Sequence, residues 1–196
     1  MTEKKRPQIL IMSTGSVACI KLPELVSKLH SAEAMDIKLA VTEHALHFFS
    51  PPDLPPDVMV FRDLDEWTTW KGRGDPVLHV ELRKWATIGL IAPLDANTLA
   101  KVANGISDNL VTSVLRAWDM QRPLIFCPAM NTCMWNHPLT QKHLKVLEDE
   151  LHFQQVPPVE KELMCGDKGI GAMANVEDIV KAVLCIWDAS SLNSKN

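Results

Sequence analysis

Short apolar runs rich in β-branched residues alternate along this chain with longer stretches in which apolar side chains recur every three to four positions. A short continuous apolar run suits a strand buried on both faces, whereas the helical recurrence turns one stripe of side chains toward a core. The runs at 8–12, 37–41, 58–61, 88–92, 124–127 and 153–156 therefore read as strands, and 17–29, 77–86, 98–102, 109–118, 139–147 and 176–187 as helices. Alternation of this kind predicts an α/β fold with a parallel sheet and helices on both of its faces. Two segments break the pattern. Residues 50–56 contain four prolines and residues 165–171 three glycines, so both read as loops. Residues 190–196 read as a disordered tail.

Composition narrows the class. A chain of 196 residues suits a single domain, with its core at about 8–187, and 46% hydrophobic with 22% charged residues is an ordinary globular balance. A net charge of -4 supplies no broad cationic surface for a phosphate backbone, which argues against nucleic acid as a partner. No stretch reaches the roughly 20 apolar residues of a membrane helix, and the first seven residues are too polar for a signal peptide, so a cytoplasmic protein away from membranes is expected. The five cysteines lack CxxC spacing and are odd in number; they read as reduced thiols, with no disulfide framework and no metal site.

In open α/β sheets ligands bind beyond the carboxyl ends of the strands, so the segments that follow strands carry the candidate chemistry. Gly15-Ser16-Val17 follows the first. It is either a phosphate-holding turn, with a tight glycine, free helix amides and a hydroxyl, or an ordinary strand-to-helix turn capped by Ser16. Asp95-Ala96-Asn97-Thr98 follows the fourth and either meets the edge of a heterocycle or caps a helix through Asp95 or Thr98. Ala129-Met130-Asn131 and Met134-Trp135 follow the fifth. Here Asn131 among large apolar groups describes a small-molecule pocket or, on the plainer reading, a hydrophobic lid.

Asp75-Pro76 reads as N-cap and first residue of a helix whose buried stripe is Leu78, Leu82 and Trp85. His79 then lies in the first turn, where the positive helix end disfavours the imidazolium and leaves a base; a histidine without chemistry is the alternative. Cys165 heads the glycine-rich segment and is either a proton donor on a closing flap or an incidental thiol.

Taken in order, Gly15-Ser16-Val17, the 75–79 run Asp-Pro-Val-Leu-His, the 92–98 run Ala-Pro-Leu-Asp-Ala-Asn-Thr, Pro128-Ala129-Met130-Asn131 with Met134-Trp135, and Cys165-Gly166-Asp167 with Gly169 and the 172–174 run Ala-Met-Ala resemble the homo-oligomeric flavin-containing cysteine decarboxylases, in particular the branch acting on phosphopantothenoylcysteine. The resemblance spans residues 8–187. It implies a Rossmann-like sheet, FMN as cofactor, phosphopantothenoylcysteine as small-molecule substrate, and a homotrimer with sites between subunits. It places FMN against Gly15, Ser16, Val17, Thr42, Phe48, Asp95, Ala96, Asn97, Thr98 and Ala129. His79 is implied as the base beside the flavin, Asn131 and Met134 as substrate contacts, and Cys165 as the flap acid. The implied reaction oxidises the carbon bearing sulfur, releases carbon dioxide and reduces the enethiolate to phosphopantetheine. Alternatives are a peptidyl-cysteine decarboxylase, which needs only the oxidative half, a flavin prenyltransferase, and a non-catalytic halotolerance-type subunit that regulates a protein phosphatase.

Overall fold

The computed structural model describes residues 6–33, 35–162 and 168–193. In chain order the elements are β1 (Gln8–Ser13), a 3-10 turn at Val17–Lys21 that runs into α1 (Leu22–Glu33), β2 (Asp36–Val41), β3 (Met59–Phe61), α2 (Asp63–Thr69), α3 (Leu78–Trp85), β4 (Ile88–Leu94), α4 (Ala96–Ala103) and α5 (Leu110–Arg116). They continue with β5 (Leu124–Pro128), α6 (Thr132–Trp135), α7 (Pro138–Lys145), β6 (Gln154–Gln155), β7 (Val159–Glu162), β8 (Lys168–Ala172) and α8 (Val176–Asn193). Six strands form one sheet in the order β3-β2-β1-β4-β5-β6, and each neighbouring pair is parallel. The chain therefore starts in the middle of the sheet, builds outward through β2 and β3, and crosses back to lay β4 against the other side of β1. Where that reversal occurs, the loops leaving β1 and β4 part to opposite faces and open a crevice.

Both faces are covered, as parallel sheets require. Successive side chains of a strand point to opposite faces. Ile9 and Ile11 of β1 accordingly pack with Leu25 and Leu29 of α1 and with Ile179 and Val183 of α8. Leu10 and Met12 pack instead with Leu82 of α3, Leu99 of α4, Val111 of α5 and Leu144 of α7. Burying each such side chain contributes about 1.5–3 kcal/mol. This explains why β1 and β4 read as unbroken apolar runs: β4 is buried along its whole length.

Three expectations change. The glycine-rich loop at 165–171 is in part a strand: Lys168–Ala172 pairs antiparallel with Val159–Glu162, with Glu162 opposite Lys168 and Lys161 opposite Gly169. Backbone pairing needs no side chains, so a run poor in them can still form a ladder when another surface holds it. Cys165, Gly166 and Asp167 lie outside the described residues. Second, Asp63–Thr69 is a helix that the sequence did not announce. It is short and acidic, and Leu64 and Trp67, its large apolar side chains, are exposed, so it lacks the buried stripe by which helices are read. Third, α8 runs to Asn193, through the start of the expected tail. The proline segment is the loop expected, with one short 3-10 turn at Pro51–Asp53.

Candidate active site at the carboxyl edge of the sheet

The turns that leave β2, β1, β4 and β5 are tied to one another. The Ser13 hydroxyl donates to the Ala92 carbonyl at 2.6 Å. The Thr14 hydroxyl donates to the Pro93 carbonyl at 2.9 Å and accepts from the Asp95 amide at 2.8 Å. The Thr42 amide donates to the Ser13 carbonyl at 3.1 Å, and the Ala129 amide to the Leu94 carbonyl at 2.9 Å. These bonds bring Gly15, Ser16, Val17, Thr42, Asp95 and Ala129, which are scattered in sequence, to one edge of the crevice.

Gly15 sits where the turns after β1 and β2 meet. A Cβ there would lie 2.7 Å from Cβ of His44 and 3.4 Å from Oδ2 of Asp95, so only glycine fits. Ser16 caps the following 3-10 turn, its hydroxyl oxygen accepting from the Ala18 amide at 3.3 Å. That confirms the capping reading, and it leaves the hydroxyl hydrogen free for a ligand. Close by in the fold, the hydroxyl of Thr42 is buried and has no hydrogen-bond partner among the described residues. An orphaned buried hydroxyl costs about 1–3 kcal/mol, so its presence is best explained by an acceptor that arrives with a ligand. Small turn residues and unspent donors of this kind fit a phosphate-bearing cofactor.

The stretch 95–98 is a helix start. Asp95 is the N-cap of α4, its Oδ1 accepting from the Thr98 amide at 2.6 Å, while Thr98 is buried and Asn97 exposed. The carboxylate is thus spent on the backbone, and the contact its side chain was expected to make with a cofactor has only its second oxygen available. Phe48 is half-buried and packs against the core on the α1 and α8 face.

After β5 the chain turns into α6. Asn131 is its N-cap, with Oδ1 accepting from the Met134 amide at 2.8 Å, which keeps the side-chain NH₂ as a donor. Met134 is 50% exposed, whereas Met130 is buried in the core with Trp135 packed against it. Met134 therefore faces a cleft, whereas Met130 and Trp135 belong to the core packing. Asn131, Met134 and Ala96 line one apolar cleft of about 390 Å³ with Cys133, Thr140 and His143, a volume in the range of small-molecule sites. The β7–β8 hairpin lies directly on this turn. The Met130 amide donates to the Gly171 carbonyl at 2.9 Å, and a Cβ on Gly171 would fall 2.4 Å from the Met130 carbonyl oxygen. Of the two strands, β8 makes these contacts with the Asn131 turn, and β7 pairs with β8.

His79 stands at the second position of α3, which has Val77 and not Asp75 as its N-cap. The carboxylate of Asp75 is taken by the amides of Lys71 and Gly72, at 2.8 and 2.9 Å. Because α3 feeds the amino end of β4, its first turn lies at the carboxyl edge, on the same side as the other candidates. Nδ1 of His79 is 2.6 Å from Oε1 of Glu66, and the His79 amide donates to Oε2 of the same carboxylate at 3.0 Å. Glu66 was not legible as a site residue, because its significance depends on α2 and on a contact across thirteen positions.

Two thiols under the site are chemically quiet. Cys19 donates to the Thr14 carbonyl at 3.1 Å, and burial, reinforced by the charge of Asp95, pushes it up to about 12. Burial alone raises Cys127. Among the described residues no group of histidine, cysteine and acidic side chains is arranged to hold a metal ion, and no helix is long and apolar enough to cross a membrane.

Residues 1–186 match the profile of the family described as Flavoprotein. Phosphopantothenoylcysteine decarboxylase of the mouse, Mus musculus, is 52% identical over 185 residues, covering 94% of this chain and 89% of the mouse protein. A solved PPC decarboxylase cysteine-to-serine mutant complexed with pantothenoylaminoethenethiol matches with a TM-score of 0.90 at 46% identity, over 94% of this chain and all of that one. The FMN binding protein AtHal3 matches with a TM-score of 0.87 at 46% identity, over 94% and 98% of the two chains.

Proposed function

The chain belongs to the flavoprotein family, and on that footing we propose that it is an FMN-dependent decarboxylase converting phosphopantothenoylcysteine to phosphopantetheine in coenzyme A biosynthesis. The observation that carries this reading is the 52% identity to the mouse decarboxylase along nearly the whole of both chains. When bound, the flavin supplies reversible hydride transfer, so that the carbon bearing sulfur is oxidised before the carboxylate leaves and reduced after it.

The chain's own residues do the rest. Gly15, Ser16, Val17 and Thr42 hold the phosphate of the cofactor through backbone amides and hydroxyls. Asp95, Ala96, Asn97, Thr98, Phe48 and Ala129 border its ring. His79 accepts the substrate thiol proton, which makes the sulfur a thiolate and favours oxidation of the neighbouring carbon. Asn131 donates from its amide to the substrate carboxylate, and Met134 with the apolar cleft keeps water from the site. Cys165 gives up the proton that completes the final reduction. Release of carbon dioxide precedes that step and does not require the thiol.

The protein works as a homotrimer with sites between subunits, in the cytoplasm. In support, Met59, Leu64, Trp67 and Trp70 expose large apolar surface along β3, α2 and the residue after it, and the described cysteines are free thiols. We expect a solution mass three times the chain's 21.9 kDa, and Trp67→Glu to lower it; a wild-type mass of one chain would refute the trimer.

Purified protein should be yellow and release FMN on denaturation, and should yield carbon dioxide and phosphopantetheine from phosphopantothenoylcysteine. A colourless protein that cannot be reconstituted with FMN would sink the reading. Cys165→Ser should still decarboxylate yet accumulate a product lighter by one pair of hydrogens; normal product at normal rate would remove Cys165 from the mechanism.

A further inference from the structure

We propose that Glu66 is a positioning residue for His79, fixing which ring nitrogen carries the proton. The proposal rests on the reading of His79 as the base. One carboxylate makes two contacts with one residue: Oε1 meets Nδ1 at 2.6 Å and Oε2 accepts the backbone amide at 3.0 Å. Glu66 is only 13% exposed and His79 26%, so the pair is mostly withdrawn from competing water. A structural explanation accounts for one of the two contacts. The N-cap of α3, Val77, has no side chain to satisfy the first-turn amides, and Glu66 supplies a cap from a different helix. It does not account for the second oxygen on the ring.

The second contact has a chemical consequence. An acceptor at Nδ1 holds the hydrogen there, so the neutral ring presents the lone pair of Nε2. When the substrate thiol is deprotonated, the S–H bond breaks and an Nε2–H bond forms. The imidazolium then has a carboxylate at its other nitrogen, set against the unfavourable positive end of α3. Glu66 touches neither substrate nor cofactor in this scheme, and acts through His79 alone. One further bond ties its helix to a neighbour: Asp63, at the start of α2, accepts from the Leu110 amide of α5 at 2.7 Å, while the start of α2 is closed locally by the Arg62 amide donating to Asp65 at 2.7 Å.

Replacing Glu66 by glutamine tests the idea with little change of shape. The amide oxygen can accept from the His79 backbone, but the NH₂ then faces Nδ1 and donates to it, which moves the ring hydrogen to Nε2 and removes the base. The measurement is long-range ¹H–¹⁵N correlation on FMN-loaded protein with labelled histidine, the His79 signals being assigned by their loss in His79→Asn. We expect the Nδ1-protonated ring in the wild type and the Nε2-protonated ring in Glu66→Gln. Alongside this, kcat should fall by about 10²- to 10⁴-fold, as for an acceptor lost behind a catalytic histidine, with KM and FMN binding little changed. A wild-type ring protonated at Nε2 overturns the proposal without any variant having to fold. A fully active Glu66→Gln beside an inactive His79→Asn overturns the positioning role alone, whereas a fully active His79→Asn removes the base reading and this proposal together.

Discussion

Four side chains show how much one atom can decide. Thr42 buries a hydroxyl that nothing among the described residues satisfies. Replacing it by valine removes the orphan while keeping the branched shape, so the flavin-free protein should be equally stable or gain on the order of 1 kcal/mol. FMN affinity should fall at least tenfold if that hydroxyl serves the phosphate. Denaturant melts of the flavin-free protein and fluorescence titration with FMN read the two effects separately; lost stability with unchanged affinity would mark Thr42 as structural. Asp95, by contrast, spends one oxygen on its own helix. Asp95→Asn should therefore keep the cap, while Asp95→Ala should lose about 1 kcal/mol of stability. Glu66 and His79 complete the set, since a carboxylate that looks like one more surface charge in sequence is paired to a ring in the fold.

At the scale of elements, the β7–β8 hairpin and the turn into α6 are one unit. Gly171 adopts a φ of 140°, open to few residues besides glycine, and its Cβ position is already occupied by the Met130 carbonyl. Gly171→Ala should force the hairpin off the Asn131 turn, lowering stability by roughly 1–3 kcal/mol and raising KM, because the turn that carries Asn131 loses its support. Thermal melting and steady-state kinetics on the same preparation test this, and an unchanged Tm would contradict the packing described. The short helix α2 makes the complementary point. Its inward face holds Asp63 and Glu66 to two other helices by hydrogen bonds, and its outward face leaves Trp67 80% exposed. Such a helix is positioned by polar contacts and hardly by burial within the chain.

For the whole molecule, the two buried thiols tie stability to alkaline pH. Cys19 is held near 12 in the fold against an ordinary value of 9.0, and Cys127 is also raised. A raised thiol keeps its proton when folded and loses it first when unfolded. Stability is therefore fully present below about pH 9 and falls above it, each thiol adding a slope of about 1.4 kcal/mol per pH unit. Cys19→Ala should make that fall shallower, which urea melts between pH 8 and pH 10.5, on the order of the window implied by the shift, will show. Thiol-specific labelling should mark Cys133 and Cys185, which are exposed, well before Cys19 and Cys127.

The alternation of buried runs and amphipathic segments by itself determined the class of fold and placed the sheet's strands within a residue or two, because a strand covered on both faces must be apolar throughout. It also singled out the turns after β1, β4 and β5, since in an open parallel sheet the segments beyond the carboxyl ends of the strands are where a ligand can bind. Strand order was decided only in three dimensions. It follows from which face each crossover takes, and it is the order that makes neighbours of Gly15, Thr42, Asp95 and Ala129. The same holds for the orphaned hydroxyl of Thr42, for the hairpin hidden in a glycine-rich run, and for Glu66. Each is defined by what lies opposite it, and no local pattern in the chain carries that information.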